Sequence, residues 1–419
     1  MKKLTKIIII IIIIIVILLI LLYILKNKEK KNTNNENNQS EIINDEEFEI
    51  KPDENITEVT STELAFNIKQ CIQYFYEYVQ DDNYEAVMEV LDTNYVKEKN
   101  LNVNNVKNIC SNFKNTTYII NKIHQKEKTI EKPLYFVNGE VLDGENYEKK
   151  SDLAFTIIID VEHNAFSIIP EILNDDNFNY NFDITYDNEN YYNDYTAKAY
   201  TDAEIVDEYF GYYSKLINKN PNEAYNLLDG DYKKYRFNNS IEKYKEYLKN
   251  IDLQKVYPDK YTIDYTDNDQ KEYIVIDKNG FTYIINELSP MNITFKLDTY
   301  TIMSDKFKNT YDKGTNENKT SMNVDKWMMM IQNKDFENAY NLLDETFRNN
   351  NFGNVENFKQ YMNNKYSTAL QYQIGNSQQY NGDVYTQKVT ITKEDGTTIN
   401  TNFVVKLLDN RQFVLSFEK

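Results

Sequence analysis

Apolar positions along this chain run through the same cycle three times: a helix-like spacing of three or four, a polar break, a second short helical stretch, then the alternation of strands. In the first cycle Leu64, Ile68, Cys71, Phe75 and Tyr78 share one helical face, behind Thr60-Ser61-Thr62-Glu63, a capping-box pattern. Asp81-Asp82-Asn83 breaks that helix, a second covers 84–91 and ends near Asp92, and a short third carries Val103, Val106, Ile109 and Cys110. Strands are predicted at 118–120, 134–137, 154–160, 165–169 and 182–186, with a turn at 161–164. The second cycle has Thr201-Asp202-Ala203-Glu204 as its cap, Val206, Tyr209, Phe210, Tyr213 and Ile217 on the helix, a turn at 218–221, and Ile241, Tyr244 and Tyr247 on the third helix. Its strands are predicted at 261–265, 272–277, 281–286 and 293–301, with Asn279-Gly280 as the hairpin. In the third cycle Val324, Trp327, Met328 and Ile331 lie on the first helix and Val355, Phe358 and Tyr361 on the third. Strands follow at 370–374, 384–392, 397–407 and 413–417, with Asp395-Gly396 at the same hairpin point.

The cycle is a sequence repeat as well. Ala224-Tyr225-Asn226-Leu227-Leu228-Asp229 returns 115 positions later as Ala339-Tyr340-Asn341-Leu342-Leu343-Asp344, and Val87-Met88-Glu89-Val90-Leu91-Asp92 is a worn third copy. An aromatic follows each aspartate by three: Tyr95, Tyr232 and Phe347. The array predicts three domains, 60–186, 200–302 and 320–419, with polar connectors at 187–199 and 304–319. Each repeated aspartate reads as the cap of the turn after the second helix while the aromatic plugs the core; the functional alternative is a carboxylate at the mouth of a cleft.

Ahead of the array lies a run of 19 residues, 7–25, made of Ile, Val and Leu apart from Tyr23. As a helix it would be about 28 Å long, enough to span the hydrocarbon layer. No small-residue cleavage site and no lipid-anchor Cys follow it, so it reads as an uncleaved transmembrane signal anchor behind a cytoplasmic head, 1–6, with a polar, disordered tether at 26–59. Lysines flank the run on both sides, so charge does not set the orientation; its position at the start of the chain places the C-terminal bulk outside the cytoplasm, at the cell membrane. Membrane lipid is then one partner, through 7–25.

Charge narrows the other partners. The net charge is -19; without Lys2, Lys3, Lys6, Lys26, Lys28, Lys30, Lys31 and Glu29, 40 of the 47 basic and 65 of the 66 acidic side chains remain, a balance of -25. Such a surface repels phosphate backbones, which argues against nucleic acid. The 36 tyrosines predict cores built from rings as much as from aliphatic side chains.

Candidate chemistry is sparse. Cys71 and Cys110 lie on the first and third helices of one domain and could close a disulfide; otherwise each is a small buried apolar residue. Asp264, Asp267 and Asp269, and Glu171 with Asp175 and Asp176, are acidic clusters of the kind that hold calcium, but the first lacks the Gly and the distal Glu of a calcium loop, and no metal site is assigned. Met328-Met329-Met330 beside Trp327 reads as core, with an adaptable binding surface as the alternative. No S-x-x-K with S-D-N and K-T-G, no Gly-x-Ser-x-Gly elbow and no Gly-rich phosphate loop is present, so no catalytic residue and no cofactor are assigned.

The helix-first order, the Ala-Tyr-x-Leu-Leu-Asp-x-x-aromatic second helix and the later hairpin resemble the nuclear transport factor two-like superfamily, also called cystatin-like or SnoaL-like, over most of 60–419. The resemblance implies an α+β fold: after the transmembrane helix, three helix-first domains, each a curved, cone-like antiparallel sheet covered on one face. Enzymes of that superfamily place Tyr and Asp, or His and Asp, inside the cone. Only His124 and His163 occur here, both in the first domain and neither at a repeated position. The expectation is a non-enzymatic binding or scaffolding protein of the cell envelope with an envelope protein as partner. The alternatives are a small hydrophobic ligand bound or converted within the cone of one unit, and an assembly partner for a membrane enzyme.

Overall fold

The first helix starts where the sequence supplies a cap, though one residue later than the pattern suggested: the Ser61 hydroxyl accepts the Leu64 amide at 3.3 Å. Thr62 is thereby freed for a longer reach, described below. The computed structural model describes residues 56–126, 133–173, 192–193, 195–266, 270–302, 305–366, 371–393 and 395–419.

The first domain has helices α1 (Thr62–Gln80), α2 (Tyr84–Val90), α3 (Thr93–Glu98) and α4 (Lys107–Cys110), and strands β1 (Ile56–Glu58), β2 (Thr116–Lys126), β3 (Leu134–Asp143), β4 (Lys149–Asp160) and β5 (Ala165–Leu173). The strands pair antiparallel in the order β1-β2-β3-β4-β5. Residues 56–58, expected in the tether, form β1 because β2 offers a free edge: Ile56 pairs with Lys126 and Glu58 with His124. The strand expected at 182–186 lies outside the described residues.

The second domain repeats the plan: α5 (Asp202–Lys219), α6 (Pro221–Asn226), α7 (Gly230–Phe237), α8 (Ile241–Leu248), then β6 (Pro258–Tyr265), β7 (Lys271–Asp277), β8 (Thr282–Ser289) and β9 (Asn292–Lys296). The expected capping box closes at Thr201 and Glu204, and Gly280 takes a φ of +83° in the hairpin, a value that favours glycine. In the third domain α9 (Asp305–Lys313) and α10 (Asn316–Gln332) precede α11 (Phe336–Asn341), α12 (Glu345–Asn351) and α13 (Val355–Lys365). The sheet is β10 (Gln371–Asn381), β11 (Val384–Thr392), β12 (Thr398–Leu407) and β13 (Phe413–Phe417), again a meander. Helix α9 and the first turn of α10 replace most of the expected 304–319 connector. Their packing is partly polar, with buried Asn323 donating to the Tyr311 hydroxyl at 2.9 Å, so no apolar period announced it.

The expected fold class needs correcting at its N-terminal element. The described residues form three antiparallel sheets with helices, an α+β arrangement, and among them no helix is long and apolar enough to cross a membrane. The longest, α1 with 19 residues, carries Glu63, Lys69 and Glu77 and buries one face. The apolar run 7–25 lies outside the described residues.

Each sheet closes on its own helices over a ring-rich core. Phe75 meets Phe113 and Phe155 at 5.2 and 5.7 Å; Tyr213 stacks on Phe295 at 4.6 Å; Trp327 meets Phe403 at 5.4 Å and donates its indole N–H to the Ala339 carbonyl. Each fully buried ring contributes roughly 1.5–3 kcal/mol. The repeated hexapeptide is the fastener between layers. Its last leucine bridges the closing region of its sheet, Leu91 to Ile168, Leu228 to Phe295 and Leu343 to Leu415. The following aspartate amide donates to that same strand carbonyl at 2.9, 3.0 and 2.8 Å. Its carboxylate then N-caps the next helix, Asp92 accepting from Tyr95, Asp229 from Tyr232 and Asp344 from Phe347. Apolar pair, aspartate and aromatic recur because one junction needs all of them.

Candidate binding cleft and domain junctions

The first turn of α1 reaches into the second domain. The Thr62 hydroxyl donates to both oxygens of Glu287 at 2.9 and 3.0 Å, and Tyr209 of α5 donates to the same carboxylate. Glu287 lies on β8 and is buried, so these donors replace the water it gives up. One turn on, Asn67 pairs with the Lys198 backbone in both directions, at 2.7 and 3.0 Å. Phe66 belongs to the second domain's core, against Tyr200 and Tyr209, and Met291 packs on both cores. An ion pair between Lys69 and Glu208 ties α1 to α5 farther along.

Beyond that pair, between the two domains, opens a cavity of about 340 Å3. The first domain supplies Lys69 and the consecutive stretch 118–122; the second supplies Glu208, Tyr209 and Tyr212 from α5, Leu227, and 291–293 at the start of β9. A regular strand would turn alternate residues of 118–122 away. Here Ile120 pairs with Gly139 and Lys122 with Asn138, so Asn121 is the extra residue of a β-bulge that re-aims its neighbours. The bulge needs glycine opposite: a Cβ on Gly139 would lie 2.0 Å from the Ile119 carbonyl oxygen. Burial pushes the Tyr118, Tyr209 and Tyr212 hydroxyls above their ordinary pKa, with the Glu287 carboxylate adding to the effect at Tyr209 and the Glu140 charge at Tyr212. All three stay neutral donors at physiological pH.

The second and third domains meet over a buried charge cluster. Arg236 of α7 lies 2.7 Å from Asp335, the residue before α11, and 3.6 Å from Asp298, which follows β9. Tyr232 donates to Asp298, Tyr300 and Asn338 donate to Asp335, and Arg236 covers the Phe237 and Tyr247 rings. Burial raises the Asp335 pKa, and Arg236 pulls it back. Burial opposes the Arg236 charge too, but the Asp335 and Asp298 carboxylates hold it protonated. Lys334 donates to the Asn250 carbonyl at the rim of this junction.

The residues singled out from the sequence are scattered. Cys71 and Cys110 are buried free thiols rather than a disulfide; Cys71 donates to the Asn67 carbonyl. Burial raises both thiol pKa values, that of Cys110 to about 11. Met328 and Met330 are core, and Met329 packs half-buried against it. His124 sits on β2 with its pKa lowered by burial, and the His163 ring contacts Asp160 in the turn after β4. Asp175, Asp176, Asp267 and Asp269 lie outside the described residues, and among the described residues no group of three or more His, Cys, Asp or Glu is placed to hold a metal ion. The residues that join the domains, Glu287 and Arg236, were not foreseen. Arg236 had one signal: it is one of three arginines in a chain otherwise basic through lysine, and arginine suits buried pairing. No protein-family model, curated protein or solved structure matches the chain.

Proposed function

We propose that this chain is a non-catalytic binding and scaffolding arm of the cell envelope, in which three nuclear transport factor two-like domains are docked to one another as one stiff body. The observation that carries the reading is the chemistry of the junctions. Covalently linked domains that only needed tethering would meet through small, wet contacts. These instead bury Glu287 under two hydroxyl donors and Arg236 between two aspartates, arrangements that tolerate little change of angle. A stiff arm holds a bound partner at a fixed distance from its attachment. Its place outside the cytoplasm rests on the sequence, where an apolar run behind a short basic head reads as an export signal. The acidic balance of the array favours cationic envelope partners over nucleic acid.

Protease treatment of intact cells tests the location: an epitope placed after Lys419 should be removed without lysis. Protection until lysis would reverse the topology and defeat the envelope reading.

A further inference from the structure

The cleft between the first and second domains has the chemistry of a small-molecule site. We propose that it binds an amphiphilic monocarboxylate, a flat aromatic or short acyl body carrying one anionic head. The inference deepens the binding-arm reading and rests on it.

Three observations converge. The volume of about 340 Å3 lies in the range of small-molecule sites, roughly 300–1,000 Å3, and an interface between domains is a favoured place for them. The walls are apolar and aromatic: Tyr118 and Ile120 from one domain face Tyr212, Leu227 and Ile293 from the other. Finally, the chain bends its own strand to make the wall. The bulge at Asn121 brings consecutive residues of β2 to the cleft, and Gly139 admits it by leaving out a side chain.

The polar groups choose the head. Lys69 is held by Glu208, whereas Lys122 makes no ion pair among the described residues and stands at the rim. The lining therefore carries one excess positive charge on a chain of net charge -19. A carboxylate at the rim would meet Lys122 and the Asn121 and Asn292 amides while its apolar body entered between the tyrosines. A neutral or cationic head would forgo that match. Because each domain supplies one wall, a bound molecule also favours the docked state of the pair.

Calorimetric titration of the full chain with 2-naphthoate, against the solubilising detergent alone, provides the test. The expected result is one site with a dissociation constant on the order of 0.1 mM. Binding should be lost in Leu227→Trp, which fills the wall, and in Asn292→Trp, which blocks the exposed lip and leaves the core alone. Lys122→Gln should weaken it about three- to fivefold, the worth of one partly exposed charge pair, and 2-naphthamide should bind more weakly than 2-naphthoate by a similar factor. No binding to the folded chain, or binding that survives both tryptophan variants, overturns the site. Equal affinity for acid and amide overturns the anionic class. The stiffness measurement on the same preparation keeps the two readings apart: a stiff arm that binds nothing refutes the site alone.

Discussion

Replacing Arg236 by methionine keeps an apolar stem and removes the guanidinium, which isolates the charge that joins the second and third domains. The side chains of Arg236, Asp298 and Asp335 are only 9%, 1% and 2% exposed, so the aspartates left behind cannot recover their hydration in place. Breaking a buried pair by removing one partner costs about 3–5 kcal/mol. Both carboxylates keep other donors, Tyr232 and the Tyr300 and Thr301 amides on Asp298, Tyr300 and Asn338 on Asp335. These place the cost near the lower end, about 3 kcal/mol. Trp327, the only tryptophan, is buried in the third domain and reports its unfolding. With a urea slope of about 2 kcal/mol/M the midpoint should fall by roughly 1.5 M. The pH dependence has a definite sign. Burial already raises the folded-state pKa of Asp335 above its unfolded value, and losing Arg236 raises it further. The folded variant then binds the extra proton, so its deficit is greatest near neutrality and shrinks as pH falls through the raised pKa toward the ordinary carboxylate range. Adding Asp335→Asn should recover at least about 1 kcal/mol relative to the sum of the single changes. A single-variant loss below about 1 kcal/mol, with additive behaviour in the double variant, would refute the clamp.

Other perturbations separate the remaining arguments. Gly139→Ala should destabilise by about 1–3 kcal/mol because its Cβ meets the Ile119 backbone, whereas Gly211→Ala in α5, with open space around it, should gain about 0.5–1 kcal/mol; equal thermal shifts would dismiss the bulge argument. Asp344→Ala removes the cap on the Phe347 amide and should cost about 0.5–2 kcal/mol in the Trp327-detected transition; no loss would leave the repeated aspartate unexplained. Cys71 and Cys110 should resist a thiol reagent at pH 8 in the native chain and both react in denaturant without reductant. Finding no thiols after unfolding would restore the disulfide.

The threefold cycle of helices followed by an antiparallel sheet was legible because it rests on spacing. Helical faces such as Val206, Tyr209, Phe210 and Tyr213, the Thr201 cap and the Asn279-Gly280 hairpin are local devices, and local chemistry decides them. The hexapeptide was visible as a repeat, but its purpose was only half readable. From sequence the aspartate reads as a turn cap, whereas the helix it starts and the bridge from Leu228 to Phe295 involve a strand more than sixty residues away. Helix α9 escaped because its packing is partly polar, and β1 because three residues gain strand structure only from the free edge of β2. The cleft is less legible still. A bulge needs the pairing partner to be known, and nothing in the run Ile119-Ile120-Asn121 says that Gly139 will face it. Glu287 and Arg236 carry no local mark because their partners, Thr62 and Asp335, belong to other domains.

Junctions that hold the first and third domains in one body fix the distance between them, and paired spin labels read that distance. The buried native thiols leave room for selective nitroxide labels at Val161→Cys and Leu408→Cys, exposed positions in the first and third domains. In the full chain, pulsed electron resonance should give one narrow distance distribution that broadens in Arg236→Met and in Glu287→Ala. A distribution already broad in the native chain, or one indifferent to both substitutions, would leave three domains on a flexible string.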